Sequence, residues 1–250
     1  MNGLHDSGTI DPEQVARFAA QAARWWDPAG EAAPLHHINP VRLQFIRDRL
    51  TAHFRRDTAS LTPFRGLSLL DIGCGAGIAT EPMARLGFAA TGIDAAPGMI
   101  DAARAHAEAG GLAIDYQMES PAALADAGKR FDVVLALEVI EHVPDPDAFL
   151  AEAARLVAPG GALILSTFNR TSRAFFLGIL AAERVLRWVP PGTHDWRRFR
   201  RPSELAAALR RAGLRVDSLS GMSYDPIRDR WGLTGDIGVN YLLMAVHPPR

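Results

Sequence analysis

The sequence predicts an α/β protein: a seven-stranded, mostly parallel sheet with helices on both faces. Three observations carry that expectation. Residues 67–72 are apolar enough for a buried strand, and residues 78–86 read as a helix ended by Gly87, with Gly73, Gly75 and Gly77 in the turn between them. Apolar strand segments then alternate with helical ones, as parallel strands joined by crossover helices require. Finally, a second strand ends at Asp94, 94 − 71 = 23 residues after Asp71, the length of one strand–helix–strand unit. A carboxylate there can hold both hydroxyls of a ribose. Glycines let a ligand approach the main chain closely, and the following helix offers unpaired N–H groups. The three together indicate a nucleotide-like ligand at the carboxyl edge of the first strand.

Composition sets broad limits. The chain has 250 residues, 48% hydrophobic and 22% charged, enough for one large domain with a substantial core. A net charge of −1 gives no general pull toward nucleic acid, so none is expected as a partner. Cys74 stands alone, which excludes an internal disulfide and suits a reducing compartment. No basic-then-apolar leader is seen at the start, and no apolar stretch reaches membrane-spanning length.

The elements follow in order. Residues 1–11 are a polar tail; 12–23 are expected to be helical, with Asp11 as N-cap and Pro12 at the first helical position. Trp25-Trp26-Asp27-Pro28 closes this helix, its adjacent indoles suited to covering a pocket or plugging the core. Pro34 and Pro40 make the next stretch extended, with a helix from Pro40 to about Ala52 carrying Arg42, a residue able to reach a ligand carboxylate. His36-His37 reads more as loop decoration than as a ligand pair, and 55–65 is a linker. Residues 1–65 thus form an N-terminal helical cap and 66–250 the main domain. Within it come strands at 67–72, 89–93, 112–117, 131–138 and 162–167, and helices at 97–109 and 147–157. A helix at 203–212 and two strands at 214–219 and 240–246 complete it.

The glycine loop discriminates between ligands. The dinucleotide fingerprint places glycines at loop positions one, three and six; here the sixth is Ile78 and the third glycine is Gly77. With Asp71 two residues ahead, the run Asp-x-Gly-x-Gly-x-Gly resembles motif I of the class I methyltransferases, which bind S-adenosyl-L-methionine. The succession Asp132-Val133-Val134, Glu141-His142-Val143 and Leu156 with Gly160-Gly161 resembles that group's later motifs in order and spacing. Arg24-Trp25-Trp26-Asp27, Pro34-Leu35-His36-His37-Ile38-Asn39-Pro40-Val41-Arg42, Pro190-Pro191-Gly192-Thr193-His194-Asp195-Trp196, Tyr224-Asp225-Pro226 and Val239-Asn240-Tyr241 narrow it further. These stretches resemble the UbiG family of ubiquinone biosynthesis O-methyltransferases, over nearly the whole chain from about Val15.

The resemblance implies a Rossmann-like class I methyltransferase fold with the last two strands antiparallel. It also implies methylation of hydroxyls on polyprenylated catechol-like rings, 3-demethylubiquinol and 2-polyprenyl-6-hydroxyphenol. Cofactor contacts are implied at Arg42, Asp71, Gly73, Gly75, Asp94 and Leu137, the last replacing a methionine often found there. A phenol, with a pKa of about 10, needs a general base or a divalent cation to become a good nucleophile. Glu138, Glu141 and His142 cluster at the mouth of the fourth strand. His142 and Glu141 are therefore the catalytic candidates, with His142 first as base because imidazole titrates near neutrality. The resemblance equally implies Glu138, Glu141 and His142 as ligands of a metal such as Mg²⁺.

Residues 169–201 form an insertion. Phe175, Ile179, Ala182, Leu186 and Val189 share one helical face, opposite Arg173, Glu183, Arg184 and Arg187, with Arg197, Arg198, Arg200 and Arg201 following. Such a helix suits either a lid packed on the sheet or an anionic membrane surface; the family's isoprenoid substrate favours the membrane. The expected setting is the cytoplasm, peripheral to the inner face of the cytoplasmic membrane, beside other ubiquinone-biosynthesis enzymes. Tyr224, Asn240 and Tyr241 are candidates for the ring pocket. Two other functions fit the same loop: a methyltransferase acting on another small phenol or a carboxylate, and a module that binds cofactor or lipid without turnover.

Overall fold

Along the central strands, successive residues face opposite layers, and this period of two builds the core. A computed structural model of the chain describes residues 9–19, 22–27, 30, 32–176 and 195–248. Its strands are β1 (Ser68–Ile72), β2 (Ala89–Asp94), β3 (Asp115–Met118), β4 (Phe131–Leu137), β5 (Val157–Phe168), β6 (Arg215–Asp225), β7 (Arg230–Thr234) and β8 (Asn240–Val246). They lie in the order β3-β2-β1-β4-β5-β8-β6-β7. The pairs from β3 to β5 are parallel; β8 runs antiparallel to β5, and β6 antiparallel to both β8 and β7.

Leu70, Ile72, Val134, Ala136, Leu163, Leu165, Leu243 and Ala245 face one layer, with Phe149 and Leu150 of α6 (Pro146–Arg155) and Leu205 and Leu209 of α8 (Pro202–Arg211). Leu69, Val133, Leu135, Ile164, Leu242 and Met244 face the other, with Phe45, Ile46 and Leu50 of α2 (Ala33–His53) and Met83 of α3 (Thr80–Arg85). The remaining helices are α1 (Pro12–Ala19), α4 (Pro97–Ala109), α5 (Pro121–Asp126) and the single turn α7 (Ser172–Ala174). Asp11 caps α1 as expected, accepting from the N–H groups of Glu13 and Gln14.

Three elements differ from the sequence expectation. The sheet has eight strands rather than seven, because β6 continues to Asp225 and the chain folds back as β7. Trp231 and Leu233 alternate along β7 and pack against the α2 layer, which gives this edge strand an apolar side. α2 begins at Ala33, not Pro40. Pro34 sits in its first turn, where no N–H is needed; Pro40 removes one main-chain hydrogen bond, while the neighbouring buried Asn39 donates to the Ile78 carbonyl at 2.8 Å. α5 was not expected at all; Ser120 caps it by accepting from the Ala123 N–H.

The apolar stripe expected at Ile179, Ala182, Leu186 and Val189, with Glu183, Arg184 and Arg187, lies outside the described residues, as does the stretch 190–194. No helix among the described residues is long and apolar enough to cross a membrane.

Candidate active site

The carboxyl ends of β1, β2 and β4 lie side by side, where the strand order departs in both directions from β1. Open parallel sheets hold ligands at such a switch point. A cavity of about 630 Å³ opens there, within the usual range for small-molecule sites.

One side of it is the glycine loop. Gly73 and Gly77 have φ of +69° and +94°, in the region that side chains avoid. A Cβ on Gly77 would lie 2.2 Å from the Tyr116 hydroxyl, and one on Gly73 would lie 2.6 Å from Val139. Asp94 closes β2 and fixes the loop, its carboxylate accepting from the N–H groups of Gly75 (3.0 Å) and Ala96 (2.8 Å). Burial raises its pKa, against the lowering effect of these bonds. Asp71 is buried beneath the loop and accepts from the Thr80 hydroxyl at 2.6 Å. Burial drives its pKa up to about 7; the Thr80 bond and Arg42 work against that rise, and Asp94 adds to it.

Arg42 reaches the same cavity from α2. It is buried, one guanidinium nitrogen lies 3.2 Å from Glu138 Oε1, and its Nε has no hydrogen-bond partner. Arg42, Asp71, Gly73, Gly75, Asp94 and Leu137 all line this one cavity.

The turn after β4 forms the next wall. Glu138 has φ of +56°, a strained conformation for a side-chain-bearing residue. Its N–H donates to the Ser166 carbonyl, and its carboxylate accepts from the Ser166 hydroxyl at 2.7 Å. Glu141 is buried, with one oxygen accepting from the Thr167 hydroxyl at 2.8 Å. Burial, then the charge of Glu138, raises the Glu141 pKa well above the carboxylate range and favours its protonated form. His142 Nδ1 lies 3.2 Å from the Gln14 side-chain oxygen.

Among the described residues no group of three His, Cys, Asp or Glu side chains is arranged to hold a metal ion. Glu138, Glu141 and His142, the expected ligand set, line the cavity together.

The far wall comes from the antiparallel strands. Met222, Tyr224, Trp231 and Asn240 line it, with Phe168. Tyr224 and Asn240 thus reach the cavity as expected, but Tyr241 does not. It is fully buried in the core, its hydroxyl donating to the Arg200 carbonyl at 2.8 Å, because the alternation of β8 turns it away from Asn240. Ser166, Thr167, Gln14 and Trp231 escaped the sequence reading. The polar pair Ser166-Thr167 ending an otherwise apolar strand was a usable signal. The N-terminal segment roofs the cavity with Thr9, Ile10, Asp11, Gln14, Val15 and Arg17. It is tied down by Asp11 to Arg198 at 3.3 Å and by Thr9 to Glu152 at 3.3 Å.

The chain is similar to known proteins. The family model described as "Methyltransferase domain" matches residues 42–219. A "Ubiquinone biosynthesis O-methyltransferase" of Azorhizobium caulinodans is 52% identical over 239 residues, covering 96% of this chain and 94% of its own. One of the same name from Paramagnetospirillum magneticum is 50% identical, covering 96% of each. Among solved structures, the magnesium protoporphyrin IX methyltransferase of Synechocystis with bound SAM superposes with a TM-score of 0.62 at 20% identity, covering 97% of this chain and 100% of that one. At that identity the likeness speaks for the fold.

Proposed function

The chain belongs to the ubiquinone biosynthesis O-methyltransferases, within the methyltransferase-domain family, and from that premise we propose how its cavity methylates a phenolic hydroxyl and on which ring. It is an S-adenosyl-L-methionine-dependent O-methyltransferase, and its substrate is of the prenylated quinol type. The acceptors we assign are 3-demethylubiquinol and 2-polyprenyl-6-hydroxyphenol. The observation that carries this reading is the single cavity joining a glycine loop and paired acids on one side to an aromatic wall on the other.

The residues suit the methyl donor. Asp71 and the partnerless Arg42 Nε match its ammonium and carboxylate; Asp94 keeps lone pairs for the ribose hydroxyls; Leu137 offers adenine an apolar contact. S-adenosyl-L-methionine supplies a methyl group activated on a sulfonium. The chain's task is to hold the acceptor oxygen in line with that carbon and to take its proton. His142, at the cavity wall and oriented by Gln14, is the base we assign. Glu141, whose protonated form burial and the charge of Glu138 favour, is suited to steadying Glu138. Tyr224, Trp231 and Met222 then wall the ring.

Were a Mg²⁺ ion bound, Glu138 and His142 could hold it without giving up these contacts, because Arg42 and Ser166 meet Glu138 at Oε1 and Gln14 faces His142 Nδ1. Chelation with Mg²⁺ add-back separates the cases: surviving turnover leaves His142 as the base, and loss restored by Mg²⁺ assigns the carboxylates to the cation. Incubation with labelled S-adenosyl-L-methionine and a short-chain demethylubiquinol is expected to give labelled quinol; label transferred only to another phenol or a carboxylate, or none at all, overturns the assignment. His142→Gln is expected to lower kcat by about a hundredfold or more with donor affinity unchanged.

We also propose peripheral contact with the cytoplasmic face of an anionic membrane, in keeping with an isoprenoid substrate. Phe175 (38%) and Phe176 (59%) are exposed beside Arg173 at the start of the insertion. Co-sedimentation with anionic but not neutral vesicles is the expected outcome; recovery in the supernatant with both would sink it.

A further inference from the structure

The adjacent tryptophans have no part in the chemistry above, yet the packing around them is dense. The Trp26 indole lies parallel to the His106 imidazole, with centroids 3.5 Å apart and planes 4° apart. The His36 ring lies 5.8 Å away, tilted by 56°. The indole N–H donates to the Ala76 carbonyl at 2.9 Å, which is the main chain of the glycine loop itself. His106, on α4, is fixed in turn by Glu81 of α3, Nδ1 to Oε1 at 2.6 Å. Glu81 is buried and has Arg85 3.8 Å away. His36, on α2, lies 2.9 Å from the Trp25 carbonyl. One ring thus gathers α2, α3, α4 and the loop at a point where the local backbone holds only a three-residue helical turn, Ala22–Arg24.

Trp26 is not among the residues lining the cavity; its neighbour Trp25 is. Trp25 is buried with Ala76, Ala96 and Met99. Its ring lies against the loop so closely that a Cβ on Gly75 would come 3.3 Å from it. A large, stiff indole held over the loop covers much apolar ligand area with few rotamers to freeze.

We propose that Trp26, clamped between His106 and the Ala76 carbonyl, is a positioning residue that holds the Trp25 indole as the roof of the donor subsite, over the adenosyl portion of the donor. This rests on the reading that the glycine loop binds S-adenosyl-L-methionine. The pair Trp25-Trp26 divides the work: one ring touches the ligand and the other fixes it.

Calorimetry with S-adenosylhomocysteine on the full chain tests it. Trp26→Ala is expected to raise the Kd roughly tenfold, the scale of a lost aromatic stack and hydrogen bond. Trp26→Phe, which keeps the stack and loses the N–H, should recover part of the loss. The donor KM should rise while kcat at saturating donor and the acceptor KM stay level, a split that general loosening of the fold would not give. Indole quenching on ligand addition should be lost in Trp25→Phe. Should Trp26→Ala fail to fold, His106→Ala removes the stacking ring from a half-exposed position and carries the same expectation. Wild-type affinity in a folded Trp26→Ala or His106→Ala variant, or unchanged quenching in Trp25→Phe, overturns the proposal. Failure of the wild-type chain to bind S-adenosylhomocysteine overturns the glycine-loop reading instead.

Discussion

Asp71 illustrates how much of the site is decided by one side chain's surroundings. Its place two residues before the first glycine was legible in sequence, but its charge state was not. That state follows from burial, which lifts its pKa to about 7 against the pull of Thr80 and Arg42. In the donor-free protein the folded state therefore binds a proton that the unfolded chain releases near pH 4. The sign follows from that: this group's contribution to stability falls as pH rises from about 4 to about 7. Donor binding runs the other way, because the ammonium we place beside Asp71 needs the carboxylate. Affinity for S-adenosylhomocysteine is expected to weaken as pH drops below about 7, approaching tenfold per unit. Asp71→Asn should bind weakly with the dependence flattened. Calorimetry from pH 5.5 to 8.5 measures both; an unchanged slope in Asp71→Asn would remove Asp71 from the donor's amino-acid end.

At the scale of elements, the centre of the parallel half was readable because β1, β4 and β5 are buried on both faces and announce themselves as apolar runs. The antiparallel edge was not. β7 alternates Trp231 and Leu233 with Arg230, Gly232 and Thr234, a half-buried pattern too short to separate from a loop. α2 was misjudged at its start because Pro34 and Pro40 argue locally against helix, whereas its stability comes from Val41, Phe45, Ile46 and Leu50 in the core. The helix after the Glu138–His142 turn is the reverse case, where local chemistry governs. Asp145 caps α6, its side chain accepting from the N–H groups of Asp147 and Ala148, both at 3.0 Å. Asp145→Ala is expected to lose about 1 kcal/mol, seen as a fall in Tm of about 2–4 °C. Because α6 anchors the end of the turn that carries Glu141 and His142, kcat should fall further than donor affinity. Equal losses in both would show that the cap serves stability alone.

For the molecule as a whole, the cavity belongs to no single element. Its walls are the N-terminal segment, α2, the carboxyl edge of the parallel strands and the β6–β7 hairpin. That explains why individual site residues were visible in sequence while their mutual geometry was not: Arg42 and Glu138 pair across 96 positions, 138 − 42, and Gln14 meets His142 across 128. Such long-range pairings are set by topology rather than by local spacing. They also make the donor a bridge between layers. A ligand that binds only the folded chain stabilises it by mass action, by about 2.7 kcal/mol at a hundredfold excess over Kd. In a chain of this size that corresponds to a rise in Tm of about 5–10 °C. S-adenosylhomocysteine should produce that rise in a thermal shift assay and keep raising Tm with the logarithm of its concentration. Gly77→Ala, which drives a methyl group into the Tyr116 hydroxyl at a φ of +94°, should fold at lower Tm and lose most of the ligand-induced rise. A full rise in that variant would mean that the donor does not sit in the turn after β1, and the division of the cavity into donor and acceptor sides would have to be redrawn.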